Sequence, residues 1–301
     1  MKISKLLPKY LPEYNFTVIN EKEFQTLGLV GSDTGASKCT FIDRPEFSDA
    51  LEGDVTMVIT TEEISQRIES YDVGLCIVDN PRVVFFKLHN SLADIEPYAR
   101  PRFKTKIGKN CKIHSSVIIS DENVVIGDNV RIDPYAVIKD NVIIGDNTII
   151  HSGVIIGDSD FEFKREGHEI FGVTHCGGVV IENDVEILAN SGVNKALYPW
   201  DNTIIKKYVK IDMLCNISHG VKIGSETMVV ALSGIGGRTV IGDRCWLGYG
   251  CIIRNGITIG NDARINMGSI VTKNVENNES VTGNFAIDHD KFMEDLKRRA
   301  R

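Results

Sequence analysis

Residues 205–271 read IKKYVKIDMLCNISHGVKIGSETMVVALSGIGGRTVIGDRCWLGYGCIIRNGITIGNDARINMGSIV. Every sixth residue is aliphatic, from Ile205 through Ile211, Ile217, Ile223, Val229, Ile235, Ile241, Leu247, Ile253, Ile259 and Ile265 to Val271. A helix repeats every ~3.6 residues and a strand alternates every ~2, so neither gives this beat. It fits a chain that turns a corner every six residues and sends one aliphatic side chain inward from each short flat strand. Three strands make a coil of eighteen, and Ile-Gly pairs recur at that interval, at positions 223, 241 and 259. Coils then stack at about 4.8 Å. The expected architecture is a parallel β-solenoid.

Four positions after the aliphatic residue the side chain is small, as at Cys215, Thr227, Cys245, Cys251, Ala263 and Ser269, which suits close corner packing. Gly224, Gly242, Gly248 and Gly260 follow the aliphatic position directly, where a positive φ or a close backbone approach is expected. The repeat resembles that of the hexapeptide-repeat family, whose members form left-handed parallel β-helices and are mostly acyltransferases. The hand of the helix follows from that resemblance.

Working outward, the same beat opens at Ile107, Ile113 and Ile119, slips by one residue near Asp121 and Glu122, and runs from Ile126 to Ile156. A polar stretch with Phe161, Phe163, His168, Phe171 and His175 interrupts it near 158–178. It resumes at Ile181, Ile187 and Val193. A shorter interruption, 196–202, carries Tyr198, Pro199 and Trp200. Both segments read as loops thrown out from an intact coil, with aromatics exposed for binding or packed on a neighbouring subunit. The β-helix is expected over 98–287 and a C-terminal helix over 288–301, where Asp288 and Asp290 open the helix. Phe292 and Leu296 sit four apart there, and Lys297, Arg298, Arg299 and Arg301 close it, an order that suits the helix dipole. This helix is expected to cap the open end of the solenoid.

Residues 1–97 lack the six-residue period and form a separate small α/β domain. Thr17 to Ile19, Leu27 to Val30, Thr40 to Ile42, Val55 to Thr60 and Val73 to Val78 read as strands, and Glu62 to Tyr71 as the one helix.

The 301 residues carry a net charge of -7, and the pI is near 5.6. That balance argues against nucleic acid and against a membrane surface as partners. Seven cysteines without a CxxC motif point to a reducing compartment, and Pro8, Pro12 and Glu13 break any signal-peptide run near Lys2, Lys5 and Lys9. No integral membrane segment is expected, and the cytoplasm is the expected location.

Lys38-Cys39-Thr40-Phe41-Ile42-Asp43-Arg44-Pro45-Glu46-Phe47 and Val78 to Phe86 are similar to segments of the UDP-3-O-acylglucosamine N-acyltransferases of lipid A synthesis. In that family the first segment holds uracil between two aromatics with an Asn between them. The resemblance implies nucleotide binding by Phe41, Arg44 and Phe47, with Arg44 in the place of the Asn. Packing of both rings in the core is the alternative.

Among seven histidines, His219 lies two residues after inward Ile217, and Gly237 lies eighteen further on. An imidazole and a glycine N–H on adjacent coils would face one groove roughly 5 Å apart. Such a pair suits acyl transfer: histidine takes a proton from an attacking amine, and the unhindered amide receives the oxyanion. Ile211 to Gly224 is similar to the segment bearing the catalytic histidine in the lipid A N-acyltransferases and in nucleotide-sugar N-acetyltransferases. The resemblance implies His219 as general base and Gly237 as oxyanion donor. Asn194-Lys195-Ala196 stands where the lipid A enzymes have Asp-Arg-Gly.

Three departures from that family narrow the reading. Gly256 replaces its second histidine, Gly220 replaces the acidic or amide residue that follows the first, and the terminal helix is short. Whatever orients His219 must come from elsewhere, a neighbouring chain included. The expected function is a homotrimeric N-acyltransferase moving a short acyl group from acyl-CoA to the amine of a nucleotide-linked amino sugar. Arg238, Asn255 and Lys273 are then candidates for an acyl-donor groove. A lipid A-type enzyme using acyl carrier protein and a non-catalytic solenoid scaffold are the alternatives. A metal-dependent lyase of the γ-carbonic anhydrase type needs a set of histidine ligands that these spacings do not supply, so no metal is expected.

Overall fold

The computed structural model describes the chain except residues 52, 69–70, 284–287 and 300–301. Asn284, Phe285 and Ala286, at the end of the span expected for the β-helix, and Arg301 of the basic tail lie outside the described residues. The fold is a left-handed parallel β-helix with a small α/β domain in front of it.

That domain has three helices among the described residues, not one: α1 Ile3–Tyr10, α2 Glu62–Ile68 and α3 Pro81–Leu92. In α1, Ile3 and Leu7 are buried one turn apart, and Leu11 continues the row, a pattern that Pro8 obscures. Helix α3 opens with Pro81 at its first turn and with the Asn80 side chain accepting the Val83 N–H at 3.3 Å. Strands β1 Thr17–Ile19, β2 Thr26–Leu27, β3 Lys38–Ile42, β4 Val55–Thr60 and β5 Gly74–Ile77 form one sheet in the order β1-β5-β4-β3-β2. Only β1 runs antiparallel. The expected strand from Leu27 to Val30 shrinks to Thr26–Leu27, because the chain turns at Leu29, whose carbonyl accepts the Ser32 N–H.

The solenoid consists of three parallel ladders with nine, eight and eight strands among the described residues. Its register is the predicted one, with Ile223 paired to Ile241 and Ile241 to Ile259, and Ile217 to Ile235 and Ile235 to Ile253. All twelve aliphatic residues from Ile205 to Val271 are buried in one continuous core. The small corner residues Cys215, Thr227, Cys245, Cys251, Ala263 and Ser269 are buried beside them. Glycine after the aliphatic position serves close approach rather than a positive φ, since a Cβ on Gly224 would lie 2.3 Å from the Gly242 carbonyl carbon. The left-handed turn residues come two positions later, at Glu226, Arg244 and Asp262. At this corner an Asp or Asn accepts the backbone N–H of the coil before it, as Asp146 does for Asp128 at 2.7 Å and Asn261 for Asp243 at 2.8 Å.

The ends differ from expectation. Ile107 is 51% exposed because no coil lies beyond it. The C-terminal helix α4, His289–Arg299, leaves Phe292 51% and Leu296 48% exposed, so its apolar face is not spent on capping the stack.

Both inserted segments turn back onto the chain's own first domain. Residues 158–177 carry a hairpin, Phe163–Glu166 paired antiparallel with Glu169–Gly172. Glu166 accepts hydrogen bonds from Tyr14 Oη at 2.8 Å and Lys87 Nζ at 2.5 Å, and the Asn90 side chain donates to Gly172 O at 2.8 Å. In the second loop Tyr198 is only 1% exposed and stacks on Trp200, with centroids 5.4 Å apart. Trp200 Nε1 donates to Leu27 O at 2.8 Å. These aromatics are interdomain packing, not exposed binding residues, because the Tyr198 ring fills the core formed with Phe85, Leu88 and Leu197.

Truncating one inward residue leaves a cavity that the ladders cannot close, since the backbones above and below are fixed by hydrogen bonds. Ile235→Ala should lower stability by about 2–5 kcal/mol, read as a drop in the urea midpoint. An equal truncation at exposed Ile270 should change it little.

Candidate active site

His219 and Gly237 stand on neighbouring coils at the same corner, fixed there by the pairing of Ile217 with Ile235. A Cβ built on Gly237 would lie 2.5 Å from His219 Cε1 and 2.6 Å from Nε2, so the imidazole rests flat against that glycine. No side chain fits at 237 while the ring stays. The Gly237 N–H donates no hydrogen bond among the described residues, whereas Arg238 N donates to His219 O at 2.8 Å.

The orienting group comes from the inserted loop of the same chain, not from a neighbour. Asp160 Oδ2 accepts from both the His219 backbone N–H at 2.9 Å and Nδ1 at 2.8 Å. At the Ile-Gly corner that backbone N–H would be capped by an Asp or Asn one coil on. Here that place is Gly237, and Asp160 supplies the acceptor from outside the stack. Burial opposes the Asp160 charge, but the His219 ring, the His219 N–H and the Phe161 N–H hold its carboxyl far below the usual carboxylate range. With the proton on Nδ1, His219 Nε2 is left as an acceptor.

Position 256, where the resemblance would put a second histidine in a later coil, is glycine, and the imidazole that lies beside His219 comes from the loop. His175 packs edge-on to His219 with centroids 5.6 Å apart. Its Nδ1 donates to Val173 O at 3.1 Å, and its buried Nε2 has no partner among the described residues. Burial, then the His219 charge, push His175 down to about 4. His89 plays a structural part between the domains, with Tyr98 Oη and Thr174 O each 2.7 Å from its ring nitrogens. Burial lowers it to about 4 as well.

A cavity of about 290 Å³ lies between the first domain and the coils. Phe41, Arg44 and Phe47 line it together with Arg82, Phe86 and, from the helix side, Glu162, Lys164 and Arg238. Phe41 also packs on Phe85 and Phe86 at 4.9 and 5.7 Å, while Phe47 is half exposed. Arg238 thus faces the cavity that holds the candidate nucleotide residues rather than a separate donor groove, because it follows Gly237 at the corner turned toward the first domain. Asn255 and Lys273 continue the His219 and Gly237 column on the next two coils and are exposed. Glu162 connects cavity and histidine: its Oε2 is 3.7 Å from His219 Nε2, and its Oε1 accepts from Lys164 Nζ. Burial opposes the Glu162 charge, yet Lys164, with His219 and Arg238, keeps its carboxyl below the ordinary range.

No group of three His, Cys, Asp or Glu side chains able to hold a metal occurs among the described residues, and no described helix is long and apolar enough to cross a membrane. All seven cysteines are free.

Two repeat models match the coils, "bacterial transferase hexapeptide (six repeats)" over residues 123–158 and "hexapeptide repeat of succinyl-transferase" over 238–273. These coils are built of hexapeptide repeats. Among its curated relatives, UDP-3-O-acylglucosamine N-acyltransferase of Bordetella avium is 40% identical over 111 residues, 37% of this chain and 30% of the relative. The enzyme of the same name from Campylobacter lari is 34% identical over 119 residues, 40% of this chain and 36% of the relative. The chain therefore spans about a third of the length of the curated relatives it matches. Its fold is similar to that of UDP-N-acetylglucosamine acyltransferase from Campylobacter jejuni, with a TM-score of 0.54 at 21% identity, covering 67% of this chain and 81% of that one.

The two buried histidines set an acid limit on stability. Each titrates near 4 in the fold and near ~6.5 when unfolded, so the unfolded chain binds more protons between those values. Their stabilisation is complete above the unfolded value and is lost as pH falls through that window, at up to about 1.4 kcal/mol per pH unit for each histidine. Urea midpoints at falling pH should show this decline, and His175→Gln should flatten it by about one proton.

Proposed function

We propose that this protein is an N-acyltransferase that moves an acyl group from a thioester onto the amine of a nucleotide-linked amino sugar. The observation that carries it is His219, oriented by Asp160, seated against the free Gly237 N–H and joined through Glu162 to a cavity lined by Phe41, Arg44, Phe47 and Arg82. The amine nitrogen attacks the thioester carbon and the carbonyl π pair moves onto oxygen, where the Gly237 N–H receives it. His219 Nε2 takes a proton from the attacking nitrogen. As the C–S bond breaks, the thiolate takes that proton back, leaving an amide, a free thiol and a neutral imidazole. Asp160 keeps the ring turned so that Nε2 faces the nitrogen throughout.

In this reading the cavity holds the nucleotide, with the base against Phe41 and Phe47 and the phosphates against Arg44, Arg82 and Arg238. The names of the relatives favour a UDP-linked acylglucosamine as acceptor over the other nucleotide sugars considered from sequence. A short acyl-CoA is the donor in this reading, with an acyl carrier protein as the alternative. Exposed Met213, Leu214, Leu232, Tyr249 and Met267 form an apolar stripe along another corner, which supports assembly as a homotrimer. Seven free thiols fit a cytoplasmic setting.

Thiol release should be measured with UDP- and dTDP-linked amino sugars, using short acyl-CoA in one series and long-chain acyl carrier protein in another. His219→Ala should lower kcat about 10²–10⁴-fold, and Gly237→Ala, which displaces the ring and crowds the oxyanion site, at least about 10²-fold. No release with any donor, or undiminished release from His219→Ala, overturns the reading. Sedimentation should give the mass of three chains, and Met213→Asp with Leu232→Asp should give monomers.

A further inference from the structure

We propose that Glu162 is the residue that recognises the acceptor's ammonium and so restricts the enzyme to amines over hydroxyls. This rests on the acyl-transfer reading above.

Glu162 Oε2 and His219 Nε2 face each other across 3.7 Å with no donor between them among the described residues. Hydrogen bonds from nitrogen run to about 2.9 Å, so one nitrogen seated beside this pair, at the apex of a triangle, reaches both acceptors. Nε2 is an acceptor because Nδ1 gives its proton to Asp160. Oε2 is free because Lys164 binds the other oxygen, Oε1. An alcohol carries a single proton and satisfies one acceptor only, leaving the other desolvated, whereas an ammonium supplies a donor to each.

The surrounding charges agree. Of the charged side chains lining the cavity, Arg44, Arg82, Lys164 and Arg238 are cations suited to phosphates, and the carboxylates are Asp43 and Glu162. Asp43 lies 4.0 Å from Arg82. Glu162 is the carboxylate beside the base, faced by Lys164, His219 and Arg238, with Asp160 behind the ring. On its other oxygen, Glu162 already binds an alkylammonium in the resting fold: Lys164 Nζ is bonded to Oε1 and lies 4.4 Å from the centroid of Phe86. The carboxylate stays ionised and takes no proton itself. The acceptor docks as R–NH₃⁺, gives one proton to solvent, and then attacks as R–NH₂ with His219 taking the next.

The test compares wild type with Glu162→Gln, and with Glu162→Asp as the charge-keeping control, on a nucleotide-linked amino sugar and on its hydroxyl counterpart. The glutamine variant should raise KM for the amine about tenfold or more at near-neutral pH, the loss expected for a charge-assisted hydrogen bond, with kcat little changed. That penalty should shrink as pH rises past about 7.7–8.0, where an amine of α-amino type loses its charge. The aspartate variant should recover part of the lost KM, and the amine-to-hydroxyl preference should fall in Glu162→Gln alone. An active wild type whose KM, pH profile and selectivity survive Glu162→Gln overturns the assignment while leaving acyl transfer intact. A wild type inactive with every acceptor overturns both.

Discussion

The in-register stacking of coils eighteen residues apart governs everything else in this molecule. Each strand is only two residues wide at most positions, so no single rung is stable; the ladder hydrogen bonds and the aliphatic column inside it hold the stack together. The same stacking converts sequence distance into height. Residues 219, 237, 255 and 273 form one vertical column, and chemistry placed at one height automatically has a defined neighbour above it.

Because the core is complete without them, the coils tolerate long insertions at their corners. The chain between Ile156 and Gly178 leaves the stack and returns to the ladder position it would have held, as the pairing of Val142 with Val179 records. That freedom is used to bring Asp160, Glu162 and His175 around His219 and to lay a hairpin on the first domain. The rigid element thus presents the imidazole, and the inserted element sets its surroundings.

The two parts were unequally legible in the sequence. A period of six with no interruption over twelve positions gave the coil register, the corner residues and the His219–Gly237 pairing, because these depend on local spacing alone. Helix α3 had a local signal as well, since Asn80-Pro81 is an N-cap followed by a first-turn proline, although Val78 to Phe86 was read only for its resemblance to the lipid A N-acyltransferases. Asp160 was not readable as the partner of His219: fifty-nine residues separate them, and nothing in a loop's composition fixes where it folds back. One trace existed, the glycine at 237 standing where the neighbouring corner places an Asp or Asn, which leaves the His219 amide without a cap. Tyr198 and Trp200 misled for the same reason, since aromatics on a loop look alike whether they meet solvent or a second domain.

The hairpin's attachment through Glu166 to Tyr14 and Lys87 has one more consequence. The segment that carries Asp160 is thus tied, six residues further along, to the domain lining the far wall of the cavity, so one short stretch of chain fixes the carboxylate beside His219 relative to that wall.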